Sequence, residues 1–375
     1  MSGIYIHIPF CKQACHYCNF HFSTSLQSKD AIVSAICKEI LIQKNYLKEK
    51  SLSSIYFGGG TPSLLTDGEL GQIFSAIGQV YSWGDKTEIT IEANPDDITI
   101  EKLNSFKKWG INRLSIGIQS FFDEDLQWMN RAHNANEAQS CIKMAQDAGF
   151  DNITIDLIYG SPTTTHEMWA KNIEDALSLD IPHISSYCLT VEENTALHHL
   201  VKKGKTSAPD SDKASRQFTG LIDRLTAHGY DHYEISNFAK PERYAIHNTN
   251  YWKGVHYLGI GPSAHSYNGE TRSWNIAHNQ KYILALQDDK IPSETEILAL
   301  DTRYNEYIMT GLRTMWGVDL DKINAFGESF SAYFMDNIGA EIKAGFVVFD
   351  GHTYRLTQAG KHFADGIASN LFWVV

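Results

Sequence analysis

The sequence predicts an α/β fold, a partial (β/α)6 barrel followed by a mostly helical, winged-helix-like C-terminal part. Three observations carry this. Short β-branched runs alternate with helical patterns, polar residues gather just after several of those runs, and the tail holds an apolar hairpin signal around Asp350-Gly351. Alternation of this kind implies a parallel sheet with right-handed crossovers. An open doubly wound sheet would satisfy it too, but polar groups at consecutive strand ends favour a barrel, where chemistry collects at that rim.

The runs are Ile4-Tyr5-Ile6-His7-Ile8, Ser54-Ile55-Tyr56-Phe57, Glu88-Ile89-Thr90-Ile91-Glu92, Arg113-Leu114-Ser115-Ile116-Gly117-Ile118, Ile153-Thr154-Ile155-Asp156-Leu157 and His183-Ile184-Ser185-Ser186-Tyr187. Their largely apolar character suits strands buried on both faces. Between them, Asp30 to Tyr46 puts Ile32, Val33, Ile36, Ile40 and Leu41 on one helical stripe, and Asn136 to Ala148 reads the same way. A helix over Asp212 to His228 leads to Tyr233-Glu234-Ile235-Ser236. After about Thr271 the alternation stops, and the remainder reads as mostly helical. It ends in Phe346-Val347-Val348-Phe349, the Asp350-Gly351 turn, Thr353-Tyr354-Arg355-Leu356 and a last helix. The expected organisation is a barrel over 1–240, an extension over 241–300 and a C-terminal domain over 301–375.

Of 375 residues, 43% are hydrophobic and 20% charged, which excludes a disordered chain or a small disulfide scaffold. The net charge of −12 gives no general attraction for nucleic acid or for an anionic membrane. Winged helices often bind DNA, but residues 301–375 hold six Lys/Arg against nine Asp/Glu, which favours a structural cap or a protein-docking module. No apolar run reaches the ~18 residues of a membrane span, and the N-terminus enters a strand without the pattern of a signal peptide. A cytoplasmic location is expected.

Cys11, Cys15 and Cys18 form C-x3-C-x2-C directly after the first run, while Cys37, Cys141 and Cys188 are isolated and read as small buried hydrophobes. In a reducing compartment a tight cluster is more often metal-binding than disulfide-bonded. Three thiols on one loop suit a four-iron cluster with one iron left open. Zinc, with His16 or His21 as a fourth ligand, is the competing reading.

These cysteines, followed by Gly58-Gly59-Gly60-Thr61-Pro62, resemble a radical S-adenosylmethionine protein. The likeness continues through Thr90-Ile91-Glu92-Ala93-Asn94-Pro95, Ser115-Ile116-Gly117-Ile118-Gln119-Ser120, Asn130-Arg131-Ala132-His133 and Asp156-Leu157-Ile158-Tyr159-Gly160. Together these are similar to the oxygen-independent coproporphyrinogen III oxidase family, above all its HemW subgroup of heme chaperones, over nearly the whole chain. The resemblance implies a [4Fe–4S] cluster on Cys11, Cys15 and Cys18, whose open iron takes S-adenosylmethionine. Gly59, Gly60 and Thr61 would approach the methionine moiety. Glu92, Gln119, Arg131 and Asp156 would supply polar contacts, with Tyr5 and Tyr17 as aromatic neighbours of the cluster. A zwitterion with ribose hydroxyls needs such acceptors and an arginine.

The oxidases of this family carry a fourth cysteine two positions after the third, and a long N-terminal extension. Here the position is Phe20, and only three residues precede the first run. Whether the chain is an enzyme is therefore open. His247-Asn248-Thr249-Asn250-Tyr251-Trp252 matches a histidine motif that the HemW group links to heme, which makes His247 a candidate cofactor-binding residue; His256 and His265 are alternatives. Two functions follow. One is a heme chaperone that passes heme to an acceptor, such as a respiratory hemoprotein or a membrane-associated assembly, without itself spanning the membrane. The other is a radical enzyme acting on a tetrapyrrole, by hydrogen abstraction or methyl transfer.

Overall fold

A computed structural model describes residues 2–374. Six strands, β1 (Ser2–Ile8), β2 (Leu52–Gly59), β3 (Glu88–Ala93), β4 (Arg113–Gln119), β5 (Ile153–Tyr159) and β6 (His183–Cys188), run parallel in sequence order. Each contains a run read from the sequence. Apolar side chains align across them, Ile4 beside Ile55 and Ile55 beside Ile89. All three are buried against the surrounding helices, as a sheet covered by crossovers requires.

The helix Lys29–Ile42 buries Ile32, Val33, Ile36 and Ile40. It stops short of Tyr46, and Leu41, expected on the same stripe, is 39% exposed. Adjacent residues lie about 100° apart around a helix, so Ile40 and Leu41 cannot both face the core. The helices Ala135–Asp147 and Ser211–Ala227 lie where the periodicity places them.

The sheet extends beyond its six parallel strands at both edges. On one side come β7 (Asp231–Glu234) and β8 (Asn237–Ala239), with β8 antiparallel to β6. On the other, β9 (Tyr257–Ile260) pairs parallel with β1, followed by β10 (His265–Tyr267), β11 (Thr271–Asn275) and β12 (Ser293–Ile297) in antiparallel order. The expectation of a mostly helical remainder after about Thr271 missed the antiparallel pair β11–β12. Every residue of β12 is exposed, so it carries no apolar alternation to read. Leu258, Ile260, Tyr282 and Leu286 join the barrel's own core, so the 241–300 segment is built onto the barrel.

The C-terminal part has a separate core around Tyr304, Ile308, Leu312, Phe334 and Tyr354. Helices Leu300–Leu312 and Glu328–Lys343 pack with a three-stranded sheet of β13 (Val318–Asp319), β14 (Val347–Phe349) and β15 (Thr353–Leu356), a winged-helix-like arrangement. The hairpin loop is longer than the Asp350-Gly351 pair alone, because the Asp350 carboxylate accepts from the N–H groups of both His352 and Thr353. Arg313 joins the two parts, donating to Glu234 at 3.0 Å and to Asp365 at 2.7 Å. No helix among the described residues is long and apolar enough to cross a membrane.

Candidate functional site

The cysteine loop leaves the end of β1 and returns through a bridge between Phe10 and Ser23. The segment after the helix Asp123–Trp128 clamps it. Gln13 donates to the Asn130 side chain at 2.8 Å, Asn130 donates back to the Ala14 carbonyl at 2.7 Å, and the His16 N–H donates to the Met129 carbonyl at 3.1 Å. Asn130 can do this because its φ of 57° turns the chain sharply, a conformation asparagine tolerates. All six cysteines are free thiols. Burial raises the Cys11 thiol to about 11, against a hydrogen bond from Thr61.

A single tetrahedral zinc with ~2.3 Å sulfur bonds would draw its ligand atoms to about 4 Å from one another. Among the described residues, the only His, Cys, Asp or Glu donors gathered within 4.8 Å are those of Asp319, Asp321 and His352, on the C-terminal part.

The glycine turn after β2 runs against this loop. The Gly60 N–H donates to the Ile8 carbonyl at 2.9 Å and the Thr61 N–H to the Phe10 carbonyl at 2.7 Å. A Cβ on Gly60 would lie 2.5 Å from the Phe10 carbonyl oxygen, and one on Gly59, where φ is 107°, 2.6 Å from the His7 ring. The missing side chains are thus demanded by the protein's own packing, beyond any ligand's approach.

Of the polar groups expected at strand ends, Glu92 and Gln119 stand there, whereas Asp156 lies in the middle of β5 and Arg131 follows the helix Asp123–Trp128. Glu92, on β3, accepts from the Tyr56 hydroxyl at 2.8 Å and the Gly59 N–H at 3.2 Å. Burial lifts its carboxyl to about 7, with nearby Asp156 adding to the rise. Asp156, on β5, is pushed up to about 6 by burial, while Ser185, Arg113 and Arg131 pull the other way. Gln119 ends β4 at a register break with φ 66°, and its side chain makes no hydrogen bond among the described residues. Left-handed backbone at a strand end is strain of the kind found at ligand sites.

Arg131 donates to Cys15 Sγ at 3.2 Å and, through Nη2, to the Asn94 side chain and the Gly117 carbonyl, both at 2.8 Å; its buried Nε has no partner. Asn94 in turn donates to Thr61 Oγ1 at 3.2 Å. Asn94 and Tyr56 thus hold the expected residues in place; Asn94 stands inside a recognised motif and Tyr56 in a strand run, and sequence reasoning singled out neither. Tyr17 packs in a small apolar cluster with Met129 and Leu197. Tyr5 stacks on Tyr56 at 6.0 Å and sits 3.1 Å from His7 Nδ1. An orphaned buried Nε, an unengaged amide and three thiols on one loop fit a charged, polar cofactor bound to a cluster.

His247 lies elsewhere than a free ligand would. It is buried in the helix Ile246–Trp252, with Nδ1 2.8 Å from Ser54 Oγ and Nε2 2.8 Å from the Tyr251 hydroxyl. Both ring nitrogens are taken, and its backbone N–H is held by Glu88 at 2.8 Å. Burial lowers its pKa to about 3, with Arg113 adding to the effect. In place of His247, Tyr251 and Trp252 line a cavity of about 1220 Å³ between the barrel and the C-terminal part. Tyr5, His7 and the Asn19-Phe20-His21 segment form its barrel side, so it adjoins the cysteine loop. His265 also lines it; His256 does not.

Known proteins resemble this chain in sequence and in fold. The model of the radical SAM superfamily matches residues 5–176, and that of the HemN C-terminal domain residues 298–363. Heme chaperone HemW of Bacillus subtilis is 33% identical, over 96% of this chain and 96% of that protein. Heme chaperone HemW of Escherichia coli is 30% identical, over 97% and 96%. Among solved structures, the coproporphyrinogen III oxidase HemN of Escherichia coli, described as a radical SAM enzyme, superposes with a TM-score of 0.86 over 99% of this chain and 90% of that one, at 22% identity. That last likeness shows a shared fold. Identity of about a third along nearly the full length shows kinship, and the chain belongs to the HemW family of radical SAM proteins.

Proposed function

We propose that this protein is a heme chaperone, which binds heme beside a [4Fe–4S] cluster and S-adenosylmethionine and hands it to an acceptor protein. The observation that carries the reading is the near full-length match to HemW heme chaperones. The cavity supports it: it combines flat aromatic walls with cationic side chains next to the cysteine loop, and such a surface suits a flat macrocycle with acidic substituents.

Cys11, Cys15 and Cys18 would hold the cluster. The Arg131 guanidinium, already fixed by Asn94 and Gly117, would neutralise charge on Cys15 and on the carboxylate of S-adenosylmethionine. Gln119, Glu92 and Asp156 offer amide and carboxyl groups to the same ligand, and Tyr5 and Tyr17 shield the site from water. A cluster with an open iron supplies one-electron chemistry to a bound sulfonium. Six free thiols support a reducing compartment, hence the cytoplasm. The separate cores support a division into a barrel with its 241–300 extension and a C-terminal domain from 301.

The test is heme titration of the anaerobically reconstituted protein, followed by transfer to an apo-hemoprotein. Stoichiometric uptake and transfer, with no turnover of coproporphyrinogen, is the expected result. One observation favours a second reading, a radical enzyme acting on a tetrapyrrole: Tyr5 and His7 belong both to the barrel interior and to the cavity wall. Under that reading, 5′-deoxyadenosine accumulates in proportion to a modified tetrapyrrole.

A further inference from the structure

The cavity wall has an electrostatic character opposite to that of the chain. The protein carries −12 overall, yet this wall presents Lys253, Arg272, Arg303 and Lys322 against only Glu306 and Asp319. Arg272 is paired with Glu306. Lys253 and Lys322 lie over the rings of Trp316 and Tyr307, at 4.2 and 5.5 Å. None of Lys253, Arg303 and Lys322 has an ion-pair partner among the described residues. Unpaired cations set among aromatic rings call for a planar ligand carrying carboxylates.

The histidines around this space differ in what their nitrogens are doing. His7 donates from Nε2 to the His21 carbonyl at 2.9 Å and accepts at Nδ1 from the Tyr5 hydroxyl. His247 has both nitrogens engaged and is not on the wall. His21 donates Nε2–H to Asn279 at 2.8 Å, leaving only Nδ1, the nitrogen crowded by its own backbone. His265 is exposed on β10, lines the cavity, and has no hydrogen bond at either ring nitrogen among the described residues.

We propose that His265 is the axial ligand of heme seated in this cavity, that Arg303 and Lys253 receive its carboxylates, and that His247 is a positioning residue. The inference rests on the heme-chaperone reading and assigns its site. His247 acts through its bond to Tyr251, which fixes one aromatic wall of the seat.

The test titrates the full-length protein with ferric heme, iron-free protoporphyrin IX and heme dimethyl ester. His265→Gly is expected to lose the histidine-ligated heme spectrum, to regain it on adding imidazole, and to keep wild-type binding of protoporphyrin IX. His247→Gln is expected to keep the ligated spectrum while binding heme and protoporphyrin IX equally less well. Arg303→Gln is expected to weaken heme about tenfold, the worth of one charge-assisted hydrogen bond, and to leave the dimethyl ester unaffected. Tyr251→Phe frees Nε2 of His247 without removing a ring, so tighter heme coordination in that variant overturns the assignment. An unchanged spectrum in His265→Gly, or a lost one in His21→Ala, also overturns it while leaving the chaperone reading intact. A wild-type protein that takes up neither heme nor protoporphyrin IX overturns both.

Discussion

Nη1 of Arg131 donates to Sγ of Cys15 at 3.2 Å, across 116 residues of sequence. The same guanidinium is pinned by Asn94 and the Gly117 carbonyl, so its position is set before any ligand arrives. A planar fork makes these bonds together, and an ammonium group cannot.

Arg131→Lys is therefore expected to behave as a loss of function. A hydrogen bond to a charged group contributes about 1.5–3 kcal/mol, so S-adenosylmethionine affinity should fall at least about tenfold. Iron content after anaerobic desalting should drop as the loop loosens. Equilibrium dialysis and iron analysis measure the two effects, and wild-type values in both would remove Arg131 from the site.

Buried neutral histidines make the fold sensitive to acid. Burial lowers His7 and His133 to about 4, and His232 and His247 to about 3. In the unfolded chain each takes a proton near pH 6.5, so the stability they contribute is full above that pH and is lost as pH falls toward about 4. Urea unfolding of the apoprotein should show a lower midpoint at pH 5 than at pH 7, with proton uptake on unfolding. A flat profile across that range would contradict the burial of these rings.

Glu92 works in the opposite sense. Its folded pKa of about 7 lies above the ordinary value of 4.5. Below the ordinary value both states are protonated, and the cost of the buried charge grows as pH rises from there through about 7. Glu92→Gln should therefore stabilise the apoprotein by about 2–3 kcal/mol at pH 8 and hardly at all at pH 4.5. Paired denaturation curves at the two pH values read the difference. The same variant should lose affinity for S-adenosylmethionine.

Gly60→Ala puts a methyl group 2.5 Å from the Phe10 carbonyl oxygen, one residue before Cys11. Backbone has no flexible end to move aside, so a loss of about 2 kcal/mol or more is expected, together with poor cluster retention. Gly68, in the helix Asp67–Gly78, is the control, because a Cβ added there would meet nothing within 4 Å. Gly68→Ala should be neutral or slightly stabilising. Thermal melts of the two variants decide.

Much of this was legible in the residues. Runs such as Ile4–Ile8 and Ile153–Leu157 lie inside strands extending one or two residues further, because strands buried on both faces show themselves by apolar content alone. The cysteine spacing, Glu92, Gln119, Arg131 and Asp156 stood in recognisable motifs. The edge strands did not: β12 is Ser-Glu-Thr-Glu-Ile and wholly exposed, and it is a strand because β11 satisfies its backbone. Nor did the cavity, whose cations Lys253, Arg272, Arg303 and Lys322 come from separate stretches of chain that only tertiary packing brings together. His247 shows the limit from the other side. Its motif was conspicuous, yet whether a ring nitrogen is free depends on Ser54, nearly two hundred positions away.

The parallel pairing of β9 with β1 has a consequence for biosynthesis. The strand that launches the cysteine loop gains its second neighbour only from residues 257–260. A nascent chain still lacking them leaves one side of its earliest strand with unanswered peptide groups, a ready template for mispairing. A chain arrested before about two thirds of its length should therefore aggregate more readily than one that includes residues 257–260, which comparison of truncated and full-length chains would show.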